Sequence, residues 1–105
     1  MEKRGKKMKD NKLFLNAIGD NEKCTIIQYC IEEPKTAYDI IHNCGVPQTN
    51  AYRKLKSLVA DEIIIKDHDE LKGSSYTQYY KTRSDFFIIE MGRDKIEVIE
   101  GKYQR

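Results

Sequence analysis

The sequence predicts an α+β chain, helical through its first sixty residues and built from hairpins thereafter. Two observations carry that expectation. Apolar residues recur at three- and four-residue steps as far as Leu58, the period of helices with one buried face. From Ile63 onward the apolar runs are short and β-branched or aromatic. They are broken by polar segments carrying Gly73 and Gly92, as strands joined by turns would be.

Leu13 to Ile18 forms the first short helical segment, ending at Gly19, and Asp20 is a good N-cap for the next helix. Glu22 in that helix's first turn suits the helix dipole, and Cys24, Ile26, Ile27, Cys30 and Ile31 make its inward stripe before Pro34 stops it. Thr36 with Asp39 three residues on is a capping-box-like start for a helix running to Cys44. Gly45 reverses the chain and Val46 drops an apolar side chain beneath the turn. The following helix buries Ala51, Leu55 and Leu58, where the small Ala51 lets two helices cross closely.

Ile63-Ile64-Ile65 is a buried strand, residues 66–75 a polar loop, and 76–82 a second strand. A C-terminal hairpin spans 86–100. A turn at Gly92-Arg93 is expected, since it sets Glu90 against Lys95 and pairs Ile89 with Ile96 and Phe87 with Val98. The rival turn, at Arg93-Asp94, would oppose Glu90 and Glu97. With apolar residues on both faces, this ribbon wants a second surface, which points to a homodimer.

The chain is long enough for one domain with a single core, residues 13–105. No apolar run reaches membrane-spanning length and no signal-peptide pattern opens the chain, so a cytoplasmic location without a membrane partner is expected. Three cysteines without CxxC spacing suggest a reducing compartment rather than a disulfide framework.

Net charge is only +2, but it is unevenly placed. Residues 1–12 hold six cations against two carboxylates and are expected to form a basic flexible tail. Residues 35–58 add Lys35, Arg53, Lys54 and Lys56 against Asp39. Localised positive charge of this kind is the footprint of a DNA binder. Two short helices joined by a tight turn over 36–59, then a hairpin over 63–82, make a winged helix-turn-helix. Its second helix, residues 48–59, is the one suited to the major groove.

The ordered set of motifs resembles the archaeal ArsR-like winged-helix transcriptional regulators. Ala17-Ile-Gly-Asp-Asn-Glu-Lys-Cys-Thr-Ile-Ile27 is similar to that family's opening segment, and Ala37 to Gly45 to its first motif helix. Val46 to Leu58, with the Tyr52-Arg53 pair, is similar to its recognition helix, and Tyr79-Tyr-Lys-Thr-Arg83 to the segment that leaves the wing. The resemblance covers roughly residues 13–99. It departs at Glu62, where the family usually has glycine. A left-handed residue there would cost about 1 kcal/mol, which favours a different helix end. It departs also in residues 66–75, where Asp67, Asp69 and Glu70 argue against minor-groove insertion.

The expected DNA-contacting residues are Gln48, Thr49, Asn50, Tyr52, Arg53 and Lys56, with Lys72 and Ser74 reaching backbone phosphates. Gln48 suits adenine and Arg53 guanine through bidentate hydrogen bonds, whereas Thr49, Tyr52 and Lys56 suit phosphates or thymine methyls. The plainer alternative is a solvated helix face on a winged helix that binds protein within the transcription machinery. No metal site or cofactor is expected. Cys24 and Cys30 stand about 600° apart around their helix, His42 points away from Cys44, and His68 sits in a loose acidic cluster. The sequence offers no Gly-rich phosphate loop, HExxH or Ser-His-Asp set, so no enzyme is expected.

Overall fold

The computed structural model describes residues 2–104. The elements run β1 (Glu2–Lys7), α1 (Lys12–Ile18), α2 (Asn21–Tyr29), β2 (Lys35–Thr36), α3 (Ala37–Asn43), α4 (Gln48–Ala60), β3 (Ile64–Lys72), β4 (Ser75–Thr82), β5 (Phe86–Met91) and β6 (Ile96–Gln104). These make an α+β arrangement of four helices and two antiparallel three-stranded sheets, ordered β2-β4-β3 and β1-β6-β5. Among the described residues, no helix is long and apolar enough to cross a membrane.

The helices end where local chemistry directs. Asp20 Oδ1 accepts the backbone N–H groups of Glu22 and Lys23, both at 3.0 Å, filling donors that the first turn of α2 leaves open. Thr36 and Asp39 form the full reciprocal capping box on α3. Helix α4 closes with Glu62 N–H on Val59 O and Ile63 N–H on Leu58 O, both at 3.0 Å. That pair of bonds requires a left-handed residue between them, and Glu62 takes it at φ 60°. The helix therefore does not end differently, as the cost of a left-handed non-glycine residue would favour; Glu62 takes that conformation itself. Leu58 and Ile63, both buried, supply the apolar contact that usually accompanies this ending.

One core holds the helices and both sheets together. Phe14 and Ala17 from α1, Ile26 and Ile27 from α2, Ile40 from α3 and Ala51, Leu55 and Leu58 from α4 meet Ile64 of β3 and Val98 of β6. Phe14 also stacks on Phe87 at 4.4 Å, tying α1 to β5. Thr82, fully buried, donates its hydroxyl to Ile27 O (2.6 Å) and its N–H to Cys30 O (3.0 Å), satisfying carbonyls at the end of α2.

Three expectations are corrected. The basic segment expected to be flexible is β1 over Glu2–Lys7, with Met1 outside the described residues. It pairs antiparallel with β6 from Glu2↔Gln104 to Lys7↔Ile99. Lys7 finds Glu97 at 3.0 Å and Arg4 Nε donates to Gln104 Oε1 at 2.6 Å, so cations that read as a solvated tail line a sheet edge. Second, residues 66–75 are not a loop. Strands β3 and β4 pair as far as Lys72↔Ser75, with Gly73 (φ 63°) and Ser74 alone in the turn. Polarity there reports strands exposed beyond the core rather than irregular backbone. Third, β5 and β6 take the rival register, Met91↔Ile96 and Glu90↔Glu97. Glu97 is tolerable opposite Glu90 because Lys7 of the third strand and Lys95 (3.2 Å) both neutralise it.

Candidate nucleic-acid interface

Helix α4 is amphipathic by sequence, and it packs accordingly. Ala51, Leu55 and Leu58 are buried, while Gln48, Thr49, Tyr52, Arg53 and Lys56 are exposed together on the other side. Pro47 stands at the N-cap, where its fixed φ suits the start of a helix and no side-chain cap forms.

Two polar side chains of α4 are committed inward. Asn50 donates to Glu22 of α2, 3.2 Å to Oε1, and accepts from Arg53 Nη2 at 3.4 Å. Lys54, whose side chain is only 13% exposed, sits between Asp20 (2.6 Å) and Glu22 (3.0 Å). The hydrogen bond to Lys54, with the N–H of Lys23, holds the Asp20 carboxyl below its ordinary range, and Asp20 in turn raises Lys54. This clamp fixes the start of α2 against the first half of α4. It also removes Lys54 from the outward charge counted in the sequence. Lys35 is likewise taken, by Glu33 at 2.9 Å and by the face of Tyr29. The outward positive charge of α4 therefore rests on Arg53 and Lys56, and Lys56 lies 5.6 Å from the centre of the Tyr52 ring.

Neighbouring elements extend this face. His42 of α3 lies 3.2 Å from Gln48 Nε2 and packs on Tyr38, so α3 presents an aromatic pair beside the start of α4. Toward the other end, Tyr52, Leu55, Lys56 and Val59 meet Lys66 and Tyr80 around a cavity of about 190 Å³. Lys66 and Tyr80 stand opposite each other across β3 and β4. Sequence reasoning misses them because 66–75 reads as loop; strand alternation carried back to Lys66 would bring them in. Lys72 and Ser74 lie at the exposed tip of that hairpin.

The cysteines are free thiols, with Cys30 fully buried. Burial pushes the Cys30 thiol up to about 12, Cys44 adding to the effect, so it stays protonated and inert at neutral pH. Among the described residues no three His, Cys, Asp or Glu side chains are grouped to hold a metal ion.

No protein-family model, curated protein or solved structure matches the chain.

Proposed function

We propose that the chain is a sequence-specific double-stranded DNA-binding transcriptional regulator of the winged-helix type. In this reading α3, the Gly45 turn and α4 are the helix-turn-helix, and the β3–β4 hairpin is the wing. The supporting observation is the set of exposed side chains on α4: Gln48, Thr49, Tyr52, Arg53 and Lys56 share one outer face while the helix is anchored behind by Ala51, Leu55 and Leu58. The amide of Gln48 at its leading end and the guanidinium of Arg53 near its middle are the groups that read adenine and guanine edges. Lys56, Lys66 and Tyr52 alongside suit the flanking phosphates. Asn50 and Lys54 serve as braces for the helix rather than as readers.

A homodimer on a two-fold-related site completes the proposal, with α1 and the C-terminal hairpin as its contact region. Leu13, Ile88, Ile89, Met91 and Ile96 are exposed apolar residues there.

Arg53→Ala tests the reading role. Affinity for a selected duplex is expected to fall about tenfold or more while affinity for random duplex changes little, measured by fluorescence anisotropy. Equal loss on both would remove Arg53 from the base-reading set, and no binding of random duplex by micromolar protein at low salt would defeat the proposal.

A protein-binding winged helix is the second reading. Leu71 and Tyr76, paired across the wing near its tip and 61% and 72% exposed, favour it. Replacing both with serine leaves duplex affinity unchanged if they serve a protein partner.

A further inference from the structure

Strand β3 departs from regular pairing at one point, between Lys66 and His68, where Asp67 forms a bulge. In an unbroken strand Asp67 and His68 would face opposite ways. The bulge instead brings Asp67 Oδ2 to 2.6 Å from His68 Nδ1, while Glu70, two residues on, sets Oε2 at 2.9 Å from Nε2. Ionised carboxylates only accept hydrogen bonds, so both ring nitrogens must donate, and only the imidazolium has two N–H groups. The ring lies flat on Tyr79 of β4, 4.7 Å between centroids at 4°. Lys72 approaches Glu70 at 3.6 Å, and Gln78 of β4 holds the His68 carbonyl at 2.9 Å. The charged and titratable groups around the imidazole are thus Asp67, Glu70 and Lys72 on its own strand and Tyr79 on the next.

We propose that the β3–β4 hairpin carries a proton-operated charge switch, centred on His68, that sets its attraction for the phosphates of a duplex. This switch rests on the DNA-binding reading of the chain. From Ile64 to Thr82 the hairpin holds Lys66, Lys72 and Lys81 against Asp67, Asp69 and Glu70. The His68 proton therefore decides whether the hairpin is neutral or positive. Protonated, the ring occupies two carboxylates that would otherwise face phosphate. Once the proton leaves, one ring nitrogen turns a lone pair toward a carboxylate. That contact becomes repulsive, and the released carboxylate opposes DNA.

The hydrogen bond to Glu70, then that to Asp67, raises His68 above its ordinary value. A raised value means the charged form persists through the usual histidine range, and the stabilising charge is lost as pH rises beyond it. The device therefore acts on the alkaline side of that range.

The test has two readouts. NMR of the imidazole carbons in the free protein should give His68 a pKa above that of an ordinary histidine. Affinity for random duplex at constant salt should fall about three- to fivefold as pH rises through that value. His68→Gln should lose this step while keeping any contributed by His42, the other histidine. The Asp67→Asn, Glu70→Gln double variant should bind more tightly throughout, with its step moved down to the ordinary histidine range. A His68 that titrates at or below the ordinary value overturns the proposal, as do coincident pH profiles for wild type and His68→Gln. Absence of duplex binding at every pH, with His68 still titrating high, would instead bring down the DNA-binding reading and the proposed coupling with it.

Discussion

Glu62 occupies a backbone conformation that glycine enters freely and other residues enter at a cost of about 1 kcal/mol. Its side chain is exposed, and the bonds that close α4 run through backbone atoms alone. Glu62→Gly is therefore expected to raise unfolding free energy by roughly 1 kcal/mol, seen as a higher urea midpoint at unchanged slope. A lower midpoint would mean that glycine's greater freedom in the unfolded chain outweighs the relief. At this scale the sequence is legible where a residue's role depends on near neighbours. Asp20, Thr36 and the Ala51, Leu55, Leu58 stripe need only spacing to be placed. The contacts of Lys54 and Asn50 are not legible in this way, because their partners, Asp20 and Glu22, lie about thirty residues away on another helix.

The strand elements show a different dependence. Two strands alone suggest one register for β5 and β6, whereas the charge that settles it, Lys7, sits on a third. Pairing of β1 with β6 rests on a close backbone approach at Gly101. A Cβ placed there would lie 1.9 Å from Arg4 O and 2.5 Å from Gly5 Cα. Neither contact is with a movable side chain, so Gly101→Ala must push the strands apart. The expected outcome is loss of amide protection along Glu2–Lys7 while α2 and α4 remain protected, measured by hydrogen exchange. Protection of β1 equal to wild type would show that the strands tolerate the added methyl. Nothing in local composition marks a lysine-rich segment as a strand, because the instruction lies in a partner about a hundred residues away.

For the whole molecule, the junction between the two sheets carries a buried carboxylate, Glu100. Arg83 bonds both its oxygens, one at 2.8 Å through Nε, and Ser84 donates to it at 2.7 Å. Arg83 also reaches back to the end of α4, donating its N–H to Ile63 O. The Arg83 bonds, with Ser84 assisting, hold the Glu100 carboxyl below the ordinary glutamate range despite its burial. A depressed value contributes stability that is complete above the unfolded-state pKa and is lost as pH falls through the folded one. Urea midpoints should therefore decline as pH drops below about 4.5, and Glu100→Gln should flatten that decline. At neutral pH this variant is expected to cost about 2–3 kcal/mol, since Arg83 keeps its charge without its counterion. The α+β class and the order of most elements are readable from periodicity. This junction is not, because it is assembled from side chains that share neither a helix face nor a strand.

The antiparallel join of Glu2–Lys7 to the far end of the chain also has a kinetic side. Because β1 is translated well before β6, closing that ribbon spans about a hundred residues and pays the largest loop-closure entropy among these strand pairings. Until then the middle strand Ile96–Gln104 has one open ladder, and the arginine and lysines of its missing neighbour help keep nascent copies apart by mutual repulsion.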